Sequence, residues 1–419
     1  MSASFEKGYN ALKEQVDSTV AAFFSSCVHC GMCADACLFY TETGAPERTP
    51  IHKTEPLRRV WKQEYTLLGR IGKLFGIGEK VTDEMMEQWE TLIYDSCTLC
   101  GRCTMVCPVG NDIAGMIRKT REGMAAAGHA PPGLIGATKR AVTIGSPMGV
   151  KLPALQAQIA HVEKDSGMKI PLDVEGADYM LLLSSMEIMN FPEFIDAVAK
   201  IFKHANVSWT ISSEAFEATN SGIQIGASDI AAELVQRIVD AAAKLKVKNV
   251  ISPECGHAYK AIRWDGPNLI GKSFDFKVVH ILELHDDLRQ QGRLKVNGRL
   301  KERVTYHDPC QIARRGGVID EPRNLIGMFA DNFVEMPETG KMNWCCGAGG
   351  GVSSNERADE IRLQVFQRKK DQLDAIHVDG IISACSNCRI HLEDGLEEYH
   401  MEIPLLSLTE TLAENLEES

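Results

Sequence analysis

Two cysteine runs in the N-terminal third have the spacing of iron–sulfur ligands. "CVHCGMCADAC" at 27–37 and "CTLCGRCTMVC" at 97–107 share the pattern C-x2-C-x2-C-x3-C, seventy residues apart. In such runs three close cysteines bind one 4Fe–4S cluster, and the fourth reaches the neighbouring cluster. The two predicted ligand sets are Cys27, Cys30 and Cys33 with Cys107, and Cys97, Cys100 and Cys103 with Cys37. Zinc is the alternative, but structural zinc sites normally separate two cysteine pairs by a longer spacer.

Five further cysteines lie closer to the C-terminus. They are Cys310, the adjacent pair Cys345 and Cys346, and then Cys385 and Cys388, in the pattern C-x34-CC-x38-C-x2-C. Five thiols exceed the four ligands of one zinc ion. The run "GAGGG" after the pair removes side chains, so its backbone has room to bend around a bulky inorganic group. The pattern therefore predicts that these five cysteines bind one enlarged iron–sulfur cluster.

Short β-rich segments alternate with helical ones from residue 177 onward. "ADYMLLLSS", "NVSWTIS" and "KNVISPE" have the composition of buried strands, and "RVTYHDP", "NFVEMPE" and "DGIISAC" repeat this order after residue 300. Residues 229–246 and 356–376 have the apolar period of helices. This alternation predicts parallel sheets flanked by helices. The cysteines then fall at the ends of strands, where such sheets collect ligands.

The two halves of this region correspond in register. Ser185 precedes Cys310 by 125 residues and Cys255 precedes Cys385 by 130, with "EATNSG" falling opposite the cysteine pair. We infer an internal duplication whose first copy binds no cluster. Cys255 is the thiol that this copy keeps. It is either an inert buried cysteine or a redox-active thiol that faces the intact site, with His257 beside it to lower its pKa, and we count it among the candidate catalytic residues.

We therefore predict a multidomain chain of α+β and α/β class. A helical ferredoxin-like domain with two clusters is expected over 1–150, a degenerate α/β domain over 170–295 and an intact one over 296–419. The turn-rich stretch 125–175 is predicted as a linker. The insert 55–76 is predicted as a helix with one apolar stripe that packs on its own domain. The alternative for this insert is a docking face for an acidic or membrane-bound partner.

Composition excludes some classes of function. The 419 residues carry a formal net charge of -12 and a pI near 5.5, which argues against binding nucleic acid. The first residues lack the pattern of a secretory signal, and no apolar run reaches the ~18–20 residues that a membrane-spanning helix needs. We expect a cytoplasmic protein that reaches the inner membrane peripherally, through a partner subunit.

The motif "HDPC…WCCGAGGG…CSNC" resembles the cysteine-rich CCG domain of the heterodisulfide reductases, and the leading pair of runs resembles the partner subunit of that enzyme. The resemblance spans nearly the full length. It implies two cubane 4Fe–4S clusters on the ferredoxin-type cysteines and a thiol–disulfide oxidoreductase activity. It also implies a noncubane 4Fe–4S cluster, whose ligands would be Cys310, Cys345, Cys346, Cys385 and Cys388.

Many members of this family have two intact CCG motifs, whereas this chain has one and a surviving "ECGHA" at 254–258. That pattern is similar to the DsrK type, the subunit of DsrMKJOP membrane complexes. The similarity implies membrane-bound quinone-reactive cytochrome or redox subunits as partners, together with a DsrC-like small protein whose disulfide, trisulfide or thiols exchange electrons with the noncubane cluster. The alternative is an electron-transfer iron–sulfur subunit of a flavin-dependent glycolate or lactate oxidase.

Overall fold

The computed structural model of the protein describes residues 3–77 and 80–417. It divides into two compact units, each built from segments that are distant in sequence. Unit 1 comprises Met1–Thr138, Ser221–Ile230 and Gly347–Arg368, and unit 2 comprises Lys139–Asn220, Ala231–Cys346 and Lys369–Ser419. The domain boundaries given above stay a prediction.

Eleven helices precede the first strand. They are α1 Ala3–Glu14, α2 Ser18–Ser26, α3 Met32–Asp35, α4 Leu38–Thr43, α5 Glu55–Tyr65, α6 Leu67–Leu74, α7 Asp83–Glu90, α8 Arg102–Met105, α9 Ile113–Ala127, α10 Pro132–Ile144 and α11 Leu152–Ser166. Short 3-10 turns at Pro46–Arg48 and His52–Thr54 and a π turn at Thr91–Asp95 complete this part.

Helix α9 organises the core of unit 1. It begins where the Asp112 side chain accepts a hydrogen bond from the Gly115 N–H at 3.1 Å, and it ends at the left-handed Gly128. Helix α1 packs closely against it because Gly123 leaves room for Leu12, which is fully buried. A side chain at Gly123 would collide with that leucine.

Residues 125–175 form helices, so the predicted linker is wrong. Most of the stretch lies in α10 and α11. The turn-forming residues that suggested a linker lie at the ends of these helices: Pro153 is in the first turn of α11, and the left-handed Gly167 ends it. Gly145 and Gly149, both with positive φ, turn the chain between the two helices.

The insert at 55–76 is two helices rather than one. Thr66 has an extended backbone and caps α6 by accepting a hydrogen bond from the Gly69 N–H at 3.1 Å. In α5, Leu57 and Val60 are fully buried, as the packed stripe requires. In α6, none of the eight residues, all of which the structure describes, is buried. The prediction that the whole stripe packs on its own domain is therefore wrong for α6.

Unit 2 contains two parallel four-stranded sheets of the same topology. The strands are β1 Tyr179–Leu181, β2 Trp209–Ile211, β3 Asn249–Ser252, β4 Lys277–His280, β5 Leu300–His307, β6 Ala330–Phe333, β7 Gly380–Ser383 and β8 Leu405–Ser407. Their orders are β2-β1-β3-β4 and β6-β5-β7-β8. The predicted fold class, helical and α/β with parallel sheets, is confirmed, and the repeated strand order is what an internal duplication produces.

The later helices follow the strands in alternation. They are α12 Ser185–Met189, α13 Glu193–His204, α14 Ser221–Ile225, α15 Ser228–Leu245, α16 Gly256–Tyr259, α17 Gly266–Ile270, α18 Ile281–Gln290, α19 Asp320–Phe329, α20 Asp359–Val365, α21 Gln367–Asp374, α22 Ser386–Glu398 and α23 Leu408–Glu414. There are also 3-10 turns at Gly340–Met342, Val352–Ser354 and Glu356–Ala358 and a π turn at Lys260–Asp265. The helix predicted over 229–246 matches α15, whereas the one over 356–376 is divided into a 3-10 turn, α20 and α21. Within the described residues no helix is both long enough and apolar enough to cross a bilayer.

Candidate iron–sulfur and thiol site

The two ferredoxin-type runs fold into matching loops in unit 1. Gly31 and Gly101 both have left-handed backbones, and each starts a one-turn helix, α3 or α8, that carries the third cysteine of its run. His29 and Leu99, two residues after the first cysteine of each run, also share a positive φ, of 53° and 54°. The same backbone path at the same spacing indicates that both runs enclose the same kind of group.

The second loop lies close to Cys37 of the first run. Burial raises the pKa of Cys103 well above its ordinary value, and the nearby thiols of Cys100, Cys37 and Cys97 raise it further. Cys33 of the first run also raises the pKa of Cys103, so the two runs lie close together, as the crossed ligand sets require. Lys53 is buried, with Nζ 4.0 Å from Cys37 Sγ. The assignment of the eight ligands stays a prediction.

The five later cysteines lie together in unit 2. Cys310 Sγ is 3.8 Å from Cys345 Sγ, and Cys388 Sγ is 3.3 Å from Cys346 Sγ. A hydrogen bond from Cys388 lowers the pKa of Cys385, which places the fifth thiol in the same group. All five are buried, and all 14 cysteines of the chain lie within the described residues and are free of disulfides. Five buried thiols in one group, with two pairs at contact distance, fit the donor set of an iron–sulfur cluster, because thiolates are the ligands that such clusters use.

Strand ends and one ion pair position these thiols. Cys310 follows β5, and Cys385 is the N-cap of α22 directly after β7. Asp308 connects the segments: both carboxylate oxygens accept from Arg323, at 2.9 and 2.8 Å, and one accepts from the Gly340 N–H at 2.8 Å. Burial alone would raise the pKa of Asp308, but the Arg323 contacts hold it below its ordinary value. The buried carboxylate of Asp308 thus holds the segment that leads to the cysteine pair, at Gly340, next to the segment that carries Cys310.

Two residues of this site were not predicted from the sequence. A ring nitrogen of His307 and the sulfurs of Cys346 and Cys388 all lie within 4.8 Å of one another. His307 is buried, and neither ring nitrogen has a hydrogen-bond partner among the described residues. Lys369 is also buried; its Nζ donates to Gln372 Oε1 at 2.6 Å, and burial lowers its pKa to about 8 against the opposing effect of the cysteine thiols. The "HDPC" motif was a signal for His307, whereas no sequence pattern pointed to Lys369.

In the first copy, hydrogen bonds replace the missing thiols. Ser185, which corresponds to Cys310, bonds to Ser146 Oγ at 2.8 Å and donates to the Glu217 carboxylate. Burial raises the pKa of Glu217. This polar network occupies the position that corresponds to Cys310 in the second copy.

Cys255 lies against the intact site. It is the N-cap of α16, as Cys385 is of α22, and the neighbouring Gly256 N–H donates to Cys385 Sγ. Burial raises the pKa of Cys255 well above its ordinary value, and the nearby Cys385 thiol raises it further. The net shift is upward, opposite to the lowering expected from His257, and the redox role of Cys255 stays a prediction.

Two of the glycines after the cysteine pair also allow a close contact with other backbone, and their predicted role around a cluster stays a prediction. A Cβ on Gly350, whose φ is +65°, would lie 2.7 Å from the backbone of Thr98, and one on Gly351 would lie 2.9 Å from Leu134. Arg121 is fully buried and donates to the carbonyls of Gly350 and Cys97. Within unit 1, these glycines allow their loop to approach the second ferredoxin-type run closely.

Comparison with known proteins matches both cysteine regions. A 4Fe-4S dicluster domain matches residues 24–111, and a cysteine-rich domain, CCG, matches residues 304–393. A crystal structure of a hypothetical protein from Helicobacter pylori has a TM-score of 0.50 at 10% identity, over 84% of this chain and 66% of that one, which supports the fold alone.

Curated relatives match over most of the chain. One subunit of the dihydromethanophenazine:CoB–CoM heterodisulfide reductase of Methanosarcina barkeri is 28% identical, over 93% of either chain. The Hdr-like menaquinol oxidoreductase iron-sulfur subunit of Archaeoglobus profundus is 26% identical, over 85% of this chain and 72% of the relative. EtfAB:quinone oxidoreductase of Syntrophomonas wolfei is 24% identical, over 89% and 55%.

The fold and the thiols define an iron–sulfur oxidoreductase with a dicluster domain for two cubane 4Fe–4S clusters, and with a cysteine-rich domain that fits a noncubane cluster. The chain is a heterodisulfide reductase-like iron–sulfur protein of the CCG type. Its general activity is electron transfer, as an iron–sulfur subunit of a redox complex.

Proposed function

We propose that this chain is the catalytic iron–sulfur subunit of a membrane redox complex of the DsrMKJOP type. It exchanges electrons with a disulfide, a trisulfide or the thiols of a DsrC-like sulfur carrier. The observation that carries the proposal is the group of five buried thiols, joined by the pairs Cys310–Cys345 and Cys346–Cys388. The relatives named as part of a heterodisulfide reductase and of a menaquinol oxidoreductase support both the sulfur chemistry and a quinone-linked membrane partner.

The residues of the thiol site have different roles in the proposed reaction. Reduction of one disulfide consumes two electrons and two protons and releases two thiols. When bound by the five cysteines, the noncubane cluster supplies single electrons and iron atoms that bind sulfur. The buried ammonium group of Lys369 stabilises the negative charge that reduction adds to the site. His307 can donate a ring N–H to a sulfur there, because its nitrogens have no other partner among the described residues.

The eight ferredoxin-type cysteines form the proposed relay. They would hold two clusters in unit 1, and these clusters would supply a path for electrons between the membrane partner and the thiol site. Direction follows the potentials of the partners, so the same protein can reduce a disulfide or oxidise thiols. We place the protein on the cytoplasmic side of the inner membrane, bound to a quinone-reactive cytochrome or redox subunit.

Two cysteine variants test the proposal. Protein purified without oxygen is analysed for iron and sulfide and by EPR, in the wild type, Cys345→Ala and Cys255→Ala. We expect Cys345→Ala to lose one cluster of three and Cys255→Ala to keep all three. The wild type must also change its EPR signal when a heterodisulfide or an oxidised DsrC-like protein is added, and Cys345→Ala must not. A wild type that holds three clusters but is insensitive to every such sulfur compound would instead be an electron-transfer subunit, as in flavin-dependent glycolate or lactate oxidation.

A further inference from the structure

Helix α6 and the turn after it expose an unusual number of apolar side chains. Leu68 and Leu74 are 82% and 83% exposed, and Phe75 is 71% exposed. Of the 18 large apolar side chains that are exposed in the described part of the chain, seven fall between residues 65 and 77. Clustered exposure of this kind marks an interaction surface, whereas single exposed apolar residues are common.

Helix α6 exposes its apolar side, which an ordinary surface helix buries. Its glycines face adjacent backbone: a Cβ on Gly69 would lie 1.8 Å from the Lys62 carbonyl oxygen of α5, and one on Gly72 would lie 2.8 Å from the Ile77 carbonyl oxygen in the turn after α6. At about 100° per residue, Leu67, Leu68, Ile71, Leu74 and Phe75 span an arc of roughly 120° on the other side. Surface helices normally bury their apolar arc. Here the narrow glycine side packs, and the apolar side is left outside.

Positive charge flanks this apolar arc. Lys62, Arg70 and Lys73 are exposed and Glu64 is the one acid between residues 62 and 77, in a chain whose formal net charge is -12. Arg70 Nε donates to the Glu64 carbonyl at 2.7 Å, and Lys73 pairs with the Glu64 carboxylate. The local charge is thus opposite to that of the whole protein, which complements an anionic surface.

We propose that α6, with Phe75 and Ile77, inserts into the interfacial zone of a bilayer that contains anionic phospholipids. An apolar arc with cations beside it is the arrangement of helices that lie in the membrane plane at a depth of about 5–10 Å. With eight residues the helix is about 12 Å long, too short to span a bilayer. Arg70 and Lys73 lie at the level of the phosphates. Direct lipid contact goes beyond attachment through a partner subunit.

Vesicle flotation of the cluster-loaded full chain tests this contact. The vesicles contain phosphatidylglycerol and phosphatidylethanolamine, or phosphatidylcholine alone. We expect wild-type protein to float with the anionic vesicles, and Leu68→Gln/Leu74→Gln/Phe75→Gln to bind at least ~10-fold more weakly, because each side chain loses its apolar burial. The matched control is Met148→Gln/Val174→Gln/Met189→Gln, three exposed apolar residues of unit 2, which we expect to bind like wild type. Arg70→Gln/Lys73→Gln should reduce binding to anionic vesicles to the level seen with phosphatidylcholine.

The result of the flotation experiment does not depend on whether the proposed disulfide chemistry is correct. The α6 variant must keep its three EPR signals in solution, so loss of flotation reports the surface and not the clusters. Wild-type protein that never floats with anionic vesicles, yet binds a purified membrane redox subunit in detergent, would overturn lipid contact in favour of a protein partner. Equal loss in the unit 2 control would also overturn it.

Discussion

Replacing Arg121 by methionine should strongly destabilise unit 1. Arg121 lies in α9, is fully buried, and donates to four backbone carbonyls: those of Ile93, Cys97, Gln224 and Gly350. Its guanidinium carbon also lies 4.6 Å from the centroid of the Tyr94 ring. Methionine fills a similar volume but offers no donors, so four buried acceptors lose a charged partner.

The magnitude follows from these contacts. Breaking a buried charged network by removing one partner costs about 3–5 kcal/mol, since each acceptor left behind has also lost its contact with water. The matched control is Lys119→Met on the same helix, whose Nζ pairs with Asp17 at 2.7 Å on the surface. That pair is exposed enough that its loss costs ~1 kcal/mol or less.

Hydrogen–deuterium exchange measures this effect locally. A loss of about 3 kcal/mol raises the population of the open state roughly 100-fold, so protected amides near residues 93–99, 224–226 and 350 should exchange faster by that factor. Amides of the β5–β7 ladder in unit 2 provide the reference within the same molecule. If Arg121→Met exchanges within a factor of three of wild type while Lys119→Met does the same, the carbonyl network contributes little and the reasoning fails.

Three further predictions concern the thiol site and its supports. Lys369→Met should lower the reduction potential of the noncubane centre and leave both cubane potentials unchanged, as followed by EPR during potentiometric titration, because a buried cation stabilises the reduced form. Burial raises the pKa of Glu254 from 4.5 to about 7, so the folded state holds a proton that the unfolded state has lost, and stability should fall as pH rises from 4.5 to 7. Glu254→Gln should remove this slope and be up to about 3 kcal/mol more stable at pH 8 in urea unfolding. Gly350→Ala should lower the thermal midpoint more than Gly317→Ala, since both have positive φ but a Cβ clashes with Thr98 only at Gly350.

The sequence predicted the parts of the fold that follow from periodic pattern. The repeated strand order is visible because β1, β3 and β7 and the second half of β5 are largely buried, and α15 has a clear helical period. Strands β4 and β8 were missed, since four and three residues at the edge of a sheet carry little pattern. The helices at 132–166 were mistaken for a linker because proline and glycine at helix ends have the composition of a loop.

The residues of the candidate site were predictable only where the spacing of cysteines along the sequence indicates a cluster. Cysteine runs indicate a cluster in the sequence, because most iron–sulfur clusters are held by cysteine thiolates and the ferredoxin-type runs have a characteristic spacing. The cation at Lys369 lies in α21, an outwardly polar helix whose sequence "QRKKDQLD" gives no reason to bury one lysine among its charged neighbours. Its burial depends on where α21 packs against Met336, whose sulfur accepts from Lys369 Nζ at 3.4 Å, and this is tertiary information.

The segment that carries Cys255 in the first copy has a structural role that does not require its thiol to react. A reactive cysteine needs a thiolate, whereas burial and the nearby Cys385 thiol raise the pKa of Cys255. The segment that carries it acts through its backbone instead: the Gly256 N–H donates to Cys385 Sγ, and the Glu254 carbonyl accepts from the Ser386 N–H at 2.9 Å. A side chain at Gly256 would collide with Gln311, next to Cys310. The loop of the degenerate copy therefore holds the N-terminus of α22, and with it two of the five thiols, in place.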